Sequence, residues 1–214
     1  MTVQNKTLIA ALLDRSGSMQ SSREATEHGW RDLINEQLGE PGRCDVTLAQ
    51  FDSEYELLYP PIDIHVVPEF VLHPRGRTAL HDAAGRLITE VGQRLAALPE
   101  AQRPHRVICL IMTDGMENAS CEWDRRRVRN LITQQREVYN WEFIFLGANI
   151  DAVEVGVDMG MDHAMAMTYD SRDYDRNRAA YRASSALMKK VRAGEKTAFT
   201  DADRDMAMDR PKRK

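Results

Sequence analysis

Apolar residues fall along this chain in two kinds of block. The first is unbroken. Leu8–Leu13 (LIAALL), Arg106–Met112 (RVICLIM) and Trp141–Leu146 (WEFIFL) are runs of the kind found in strands covered on both faces. The second kind recurs every three or four residues, as one face of a helix does. It comprises Trp30, Leu33, Ile34 and Leu38 in the segment 21–38, and Leu80, Ala83, Ala84, Leu87, Ile88, Val91 and Leu95 after Thr78. It continues with Val128, Leu131, Ile132, Gln135 and Val138 in 123–139, and with Ala180, Ser184, Leu187, Met188 and Val191 in 174–192. Ser21 or Ser22 caps the first helix and Gly39 stops it, while Thr78 opens the second and Pro99 lies beyond its end. Cys44–Phe51 alternates as a strand does, and Tyr55–Val67 is β-like but carries Pro60 and Pro61, which suits a sheet edge. A short helix over 150–157 and a short strand over 164–168 complete the pattern.

The order is strand, helix, strand, strand, helix, strand, helix, strand, helix. It predicts an α/β chain, a Rossmann-like three-layer α/β/α sandwich whose central sheet is mainly parallel with one antiparallel edge strand. One domain is expected over 1–193, with its core over 7–168 and a C-terminal helix over 174–192. Residues 194–214 mix charges with small side chains and finish PKRK, which predicts a flexible charged tail.

Composition narrows the class. A chain of 214 residues suits one domain with its own core, and 43% apolar with 29% charged residues is ordinary for a globular protein. A net charge of -4 argues against general binding to nucleic acid or an anionic membrane surface. No apolar stretch approaches the roughly 20 residues that span a bilayer. The three cysteines, Cys44, Cys109 and Cys121, are scattered without CxxC spacing, so free thiols in a reducing compartment are expected. MTVQNKTLIAALLDRSG lacks the basic start and cleavage site of a secretory signal. The expectation is a cytoplasmic protein.

Chemistry concentrates in three loops. The first apolar strand runs directly into Asp14, Ser16 and Ser18; Thr78 stands at the start of the second helix; Asp114 follows RVICLIM. Carboxylates and hydroxyls delivered at strand ends are oxygen ligands for a hard divalent cation. Neutral hydroxyls leave much of the ion's charge uncompensated, so such a site stays attractive to an incoming carboxylate. DRSGS at 14–18, GRTAL at 76–80 and TDGMEN at 113–118 together resemble the metal-ion-dependent adhesion site of a von Willebrand factor A domain. The later portion, with FLGANIDA at 145–152 and the helix near 174–192, is similar to small stand-alone members of bacteria and their phages. The resemblance implies that Asp14, Ser16, Ser18, Thr78 and Asp114 hold Mg2+, with Mn2+ or Ca2+ as alternatives. It also implies that a partner protein donates an Asp or Glu to the ion, an AAA+ ATPase being one class of partner met by intracellular members. A non-enzymatic interaction module, an adaptor or assembly factor, is the function expected. The absence of a signal peptide and of a cysteine pair tying the ends sets the chain apart from the adhesion branch.

Two other readings stand beside it. In one, Asp14 or a metal-bound water serves a phosphohydrolase; in the other, the fold is a structural scaffold that needs no ion. Against the first, position 16 is Ser rather than a second acid, and no GxxxxGK loop is present. Asp82 reads as a first-turn acid favoured by the helix dipole, and Glu117 and Asn118 as solvated loop residues. His73 and His81 read as exposed, and the six histidines lack zinc spacing. Arg125, Arg126, Arg127 and Arg129 read as a solvated helix start, and Met159, Met161, Met165 and Met167 as gap-filling core.

Overall fold

Each unbroken apolar run is a strand of one sheet. The computed structural model describes residues 3–148 and 150–208. Its strands are β1 (Val3–Asp14), β2 (Arg43–Phe51), β3 (Tyr55–Asp63), β4 (Pro104–Thr113), β5 (Glu142–Ala148) and β6 (Ala166–Tyr169). Its helices are α1 (Arg23–Leu38), α2 (Leu80–Ala97), α3 (Arg125–Tyr139), α4 (Ala152–Asp158), α5 (Tyr174–Ala193) and α6 (Asp201–Ala207). The six strands lie in the order β3-β2-β1-β4-β5-β6. All neighbours run parallel except β2 and β3, which are antiparallel. The three-layer sandwich with one antiparallel edge is therefore the observed fold, and the strand carrying Pro60 and Pro61 is that edge.

Side-chain alternation along the buried strands feeds two cores. Ile9, Ala11 and Leu13 of β1 join Ile108, Leu110 and Met112 of β4 on the face covered by α1 and α5. Leu8, Ala10 and Leu12 join Cys109 and Ile111 on the face covered by α2 and α3. Cys44 and Cys109 are buried and Cys121 exposed, all three as free thiols. The four methionines from 159 to 167 are buried. Val138, expected on the inward face of α3, is 62% exposed. Val128, Ile132 and Gln135 define the buried stripe, and at 100° per residue Val138 stands about 80° from its centre.

The largest departure follows residue 193. In place of a loose tail from Gly194, Phe199 is buried and Thr200 caps α6. The Thr200 hydroxyl accepts the Asp203 N–H while the Asp203 carboxylate accepts the Thr200 N–H. Phe199 N–H donates to Ala164 O at 3.0 Å, and Asp170 N–H donates to Ala207 O at 3.0 Å. The segment thus packs on β6 and α5 through one aromatic and a reciprocal cap, features that average charge does not register. Residues 209–214 of the expected tail lie outside the described residues.

Candidate metal centre

In the sheet order, the chain steps outward from β1 through β2 to β3, then returns to the other side of β1 at β4. The carboxyl ends of β1 and β4 therefore flank the point where the winding reverses, the crevice in which open α/β sheets place ligands. Asp14 ends β1 and Asp114 follows β4.

The first loop is tightly made. Arg15 N–H donates to Phe51 O and Arg15 O accepts from Arg75 N–H, both at 2.7 Å. One Asp14 carboxylate oxygen accepts the Ser16 N–H at 2.6 Å, an Asx turn that reverses the chain. The other accepts the Thr113 hydroxyl at 2.6 Å. Ser16 Oγ and Ser18 Oγ are 3.0 Å apart, and Ser18 Oγ donates to Asp114 Oδ1 at 2.5 Å. Thr78 lies in the loop before α2, which begins at Leu80 rather than at Thr78 itself. Thr78 N–H donates to Asn118 Oδ1, and Asn118 N–H returns to Thr78 O, each at 3.0 Å. A methyl group placed on Gly115 would sit 3.3 Å from Thr78 Oγ1 and 3.7 Å from Ser18 Oγ, so these two hydroxyls converge on one small space. All five residues singled out in the sequence stand at this one end of the sheet.

Electrostatics leave this cluster negative. Asp14 is fully buried and Asp114 nearly so. Burial pushes the Asp14 carboxyl up to about 6, although Thr113 and Ser16 hydrogen bonds pull the other way and Asp114 adds repulsion. Burial also raises Asp114. Among the described residues, no Lys, Arg or His forms an ion pair with either carboxylate. The nearest cation in sequence, Arg15, turns away: its guanidinium pairs with Asp52 at 2.9 Å and with Glu56.

The donor set suits a hard cation. It contains two carboxylates and three hydroxyls, all oxygen. Adjacent ligands around a Mg2+ ion at about 2.1 Å stand roughly 3 Å apart, the separation of the two serine hydroxyls. Among the described residues no group of three or more His, Cys, Asp or Glu side chains is placed to hold a metal. An ion here depends on the serine and threonine oxygens.

Several supporting residues escape the sequence reading. Asp52, just past β2, accepts Arg15 Nε at 2.9 Å, Arg75 Nε at 2.8 Å and the Glu54 N–H at 2.7 Å. Its own carbonyl takes the Ala79 N–H at 2.9 Å, so one residue joins the first and second loops. Burial pushes Asp52 up, but Arg75, the Glu54 N–H and Arg15 outweigh it and hold the carboxyl below the ordinary range. Gly76, at φ +70°, lets Gly17 N–H reach its carbonyl at 3.2 Å. Glu117 and Asn118 are structural ties, Glu117 partly buried and Asn118 exposed as expected of a solvated loop residue. The Glu117 carboxylate takes N–H groups of Ala119, Ser120 and His81 and the Ser120 hydroxyl. Asp82 accepts three N–H groups, from Cys121, Glu122 and Trp123, and so binds the third loop to α2. The available signal was Asp52 itself, a third acid placed directly after an apolar strand.

No model of a known protein family matches the sequence, and no curated protein matches it either. Solved structures do. The chain superposes on a von Willebrand factor type A protein from Catenulispora acidiphila with a TM-score of 0.60 and 15% identity, over 86% of this chain and 43% of that one. The fold is that of a von Willebrand factor A domain. The same fold relates it to proximal thread matrix protein 1 from the mussel byssus, solved with its MIDAS motif occupied by zinc, at TM-score 0.61 and 12% identity over 86% of this chain and 46% of that one. It also relates it to the vWF domain of a type V pili tip protein from Porphyromonas gingivalis, at TM-score 0.58 and 10% identity over 92% and 98% of the two chains. The chain spans less than half the length of the first two of these von Willebrand factor A structures.

Proposed function

We propose that the chain is a divalent-metal-dependent protein-interaction module, with Asp14, Ser16, Ser18, Thr78 and Asp114 as its ion-holding residues. The observation that carries this reading is a convergent oxygen cluster at the reversal point of the sheet, with two buried carboxylates that form no ion pair with a cation among the described residues. A zinc-occupied MIDAS motif in a protein of the same fold supports it. Mg2+ is the ion proposed, because an all-oxygen site with spacing near 3 Å favours it over softer metals. A bound ion would supply an electrophilic position for a carboxylate from a partner protein. The chain's own part is to hold the hydroxyls in place through the Asp52 and Asn118 ties and to keep Ser18 at the solvent edge.

The site reads as non-enzymatic. A nucleophilic Asp14 would need a free, exposed oxygen, yet both of its oxygens are held by Ser16 and Thr113 and the residue is fully buried. The three scattered free thiols support placing it as a cytoplasmic adaptor or assembly factor. Its partner, an AAA+ ATPase in the scheme favoured here, offers an Asp or Glu. Capture of partners from a lysate with and without EDTA tests the reading. Recovery of a protein that is lost in EDTA and in the Ser16→Ala variant is expected; equal recovery in all three would remove the ion from the mechanism.

A further inference from the structure

The opposite end of the sheet carries a second, unlike site. A cavity of about 460 Å³ opens at the amino ends of β1 and β4, against the last turn of α5 and the chain leaving α1. Its lining includes Lys6, His105, Arg106, Lys189 and Arg192, with Glu40 as its one carboxylate among the described residues. On a chain of net charge -4 this is a local inversion of sign.

The cations differ in how they are compensated. Lys6 pairs with Asp45 at 2.7 Å, and Lys189 lies 3.4 Å from Glu36 and 3.5 Å from Glu40. Arg192 donates to the carbonyls of Gln37, Glu40 and Pro41 and to the Gln37 side chain, which orient its guanidinium without neutralising it. Its Nε is buried with no partner. The Arg106 side chain forms no ion pair or hydrogen bond among the described residues, and its charge acts on Glu142 of the neighbouring strand. The Arg106 guanidinium is nevertheless placed: a methyl group on Gly194 would come within 2.6 Å of its Nη2, so the glycine leaves it room. A half-buried guanidinium held in position with no salt bridge among the described residues, and only the field of Glu142 nearby, keeps its donors available to an anion.

We propose that this cavity binds a phosphorylated small molecule through Arg106 and Arg192, with Lys189 and Lys6 at its edge. Cations from three elements, β1, β4 and α5, line the one cavity, which suits a tetrahedral, multiply charged phosphoryl group. A planar carboxylate is matched by a single arginine fork. The volume exceeds that of a bare phosphate and lies within the range of small-molecule sites.

The probe is pyrophosphate, titrated calorimetrically into the whole chain at low ionic strength in EDTA, so that no ion at the other end of the sheet can contribute. Saturable binding is expected, weakened about tenfold in Arg106→Gln and in Lys189→Gln and unchanged in Asp14→Asn. The Arg106 side chain makes no hydrogen bond among the described residues, so Arg106→Gln should melt with the wild type. Citrate should bind more weakly than pyrophosphate. Absence of saturable binding, equal affinity in Arg106→Gln, or tighter binding of citrate would each overturn the proposal.

Discussion

Asp14 sits at a conflict between folding and binding. Its burial raises the carboxyl from 3.8 to about 6, so in the metal-free protein the folded state binds the proton more tightly than the unfolded chain. Stability from this group is full below the unfolded value and is lost as pH rises through about 6. Asp14→Asn removes that penalty. In EDTA at neutral pH the variant should be more stable than wild type by about 2 kcal/mol in denaturant unfolding, while failing to bind Mg2+. A variant that is both less stable in EDTA and still able to bind would reverse the roles assigned here. Asp52 has the opposite sign. Its carboxyl is depressed below 3.8, so its contribution is present above that value and is lost as pH falls through the lower folded value. Asp52→Ala leaves the buried Arg15 guanidinium with Glu56 alone as its counter-charge and should cost about 2–3 kcal/mol at neutral pH, measured by the same unfolding. The difference from wild type should shrink in acid. Asp14, Ser16, Ser18 and Asp114 stood out in the sequence because they follow apolar runs, and Thr78 because it precedes an amphipathic helix. Arg15, Asp52, Glu117 and Asn118 were not, because their partners lie 36 to 41 residues away and only the folded chain brings them together.

The helices and strands were legible where one pattern dominated, an unbroken apolar run in β1 and β4 and a helical period in α2 and α5. Reading failed where a few specific contacts outweighed the average. α6 is held by Phe199 and a Thr200–Asp203 cap within a charged segment, and a T-x-x-D spacing was present to be read. Phe199→Ala should lower stability by about 3 kcal/mol; an unchanged melting temperature would return the segment to a loose tail. The α1–α5 contact is set by shape. A methyl group on Gly29 would come within 2.2 Å of the Tyr181 ring, and Gln37 Nε2 donates to the Ser185 carbonyl and hydroxyl, each at 3.0 Å. Gly29→Val should therefore separate the two helices and cost about 1–3 kcal/mol in thermal or denaturant unfolding. No spacing rule in the sequence distinguishes Gly29 from a helix-weakening glycine, since its partner is 152 residues further on.

At the level of the molecule, one sheet presents two chemistries at its two ends. Carboxylates and hydroxyls gather where the strands end and the winding reverses; arginines and lysines gather where the strands begin. The three-layer architecture and its antiparallel edge followed from alternation of strand and helix signals and from two prolines. The placement of the loops relative to one another followed only from strand order, which no local pattern encodes. Because an ion held by the folded chain stabilises it by mass action, saturation a hundredfold above Kd adds about 2.7 kcal/mol. The melting temperature should then rise by roughly 5–10 °C for a chain of this size. The most direct test is a calorimetric titration of Mg2+ into EDTA-stripped protein, comparing wild type with Thr78→Ala, whose hydroxyl is not needed for any loop tie described. One ion bound per wild-type chain, and none or far weaker binding in a Thr78→Ala protein that melts normally in EDTA, is the predicted result. Equal binding by both proteins, or no binding by the wild type, would contradict the account.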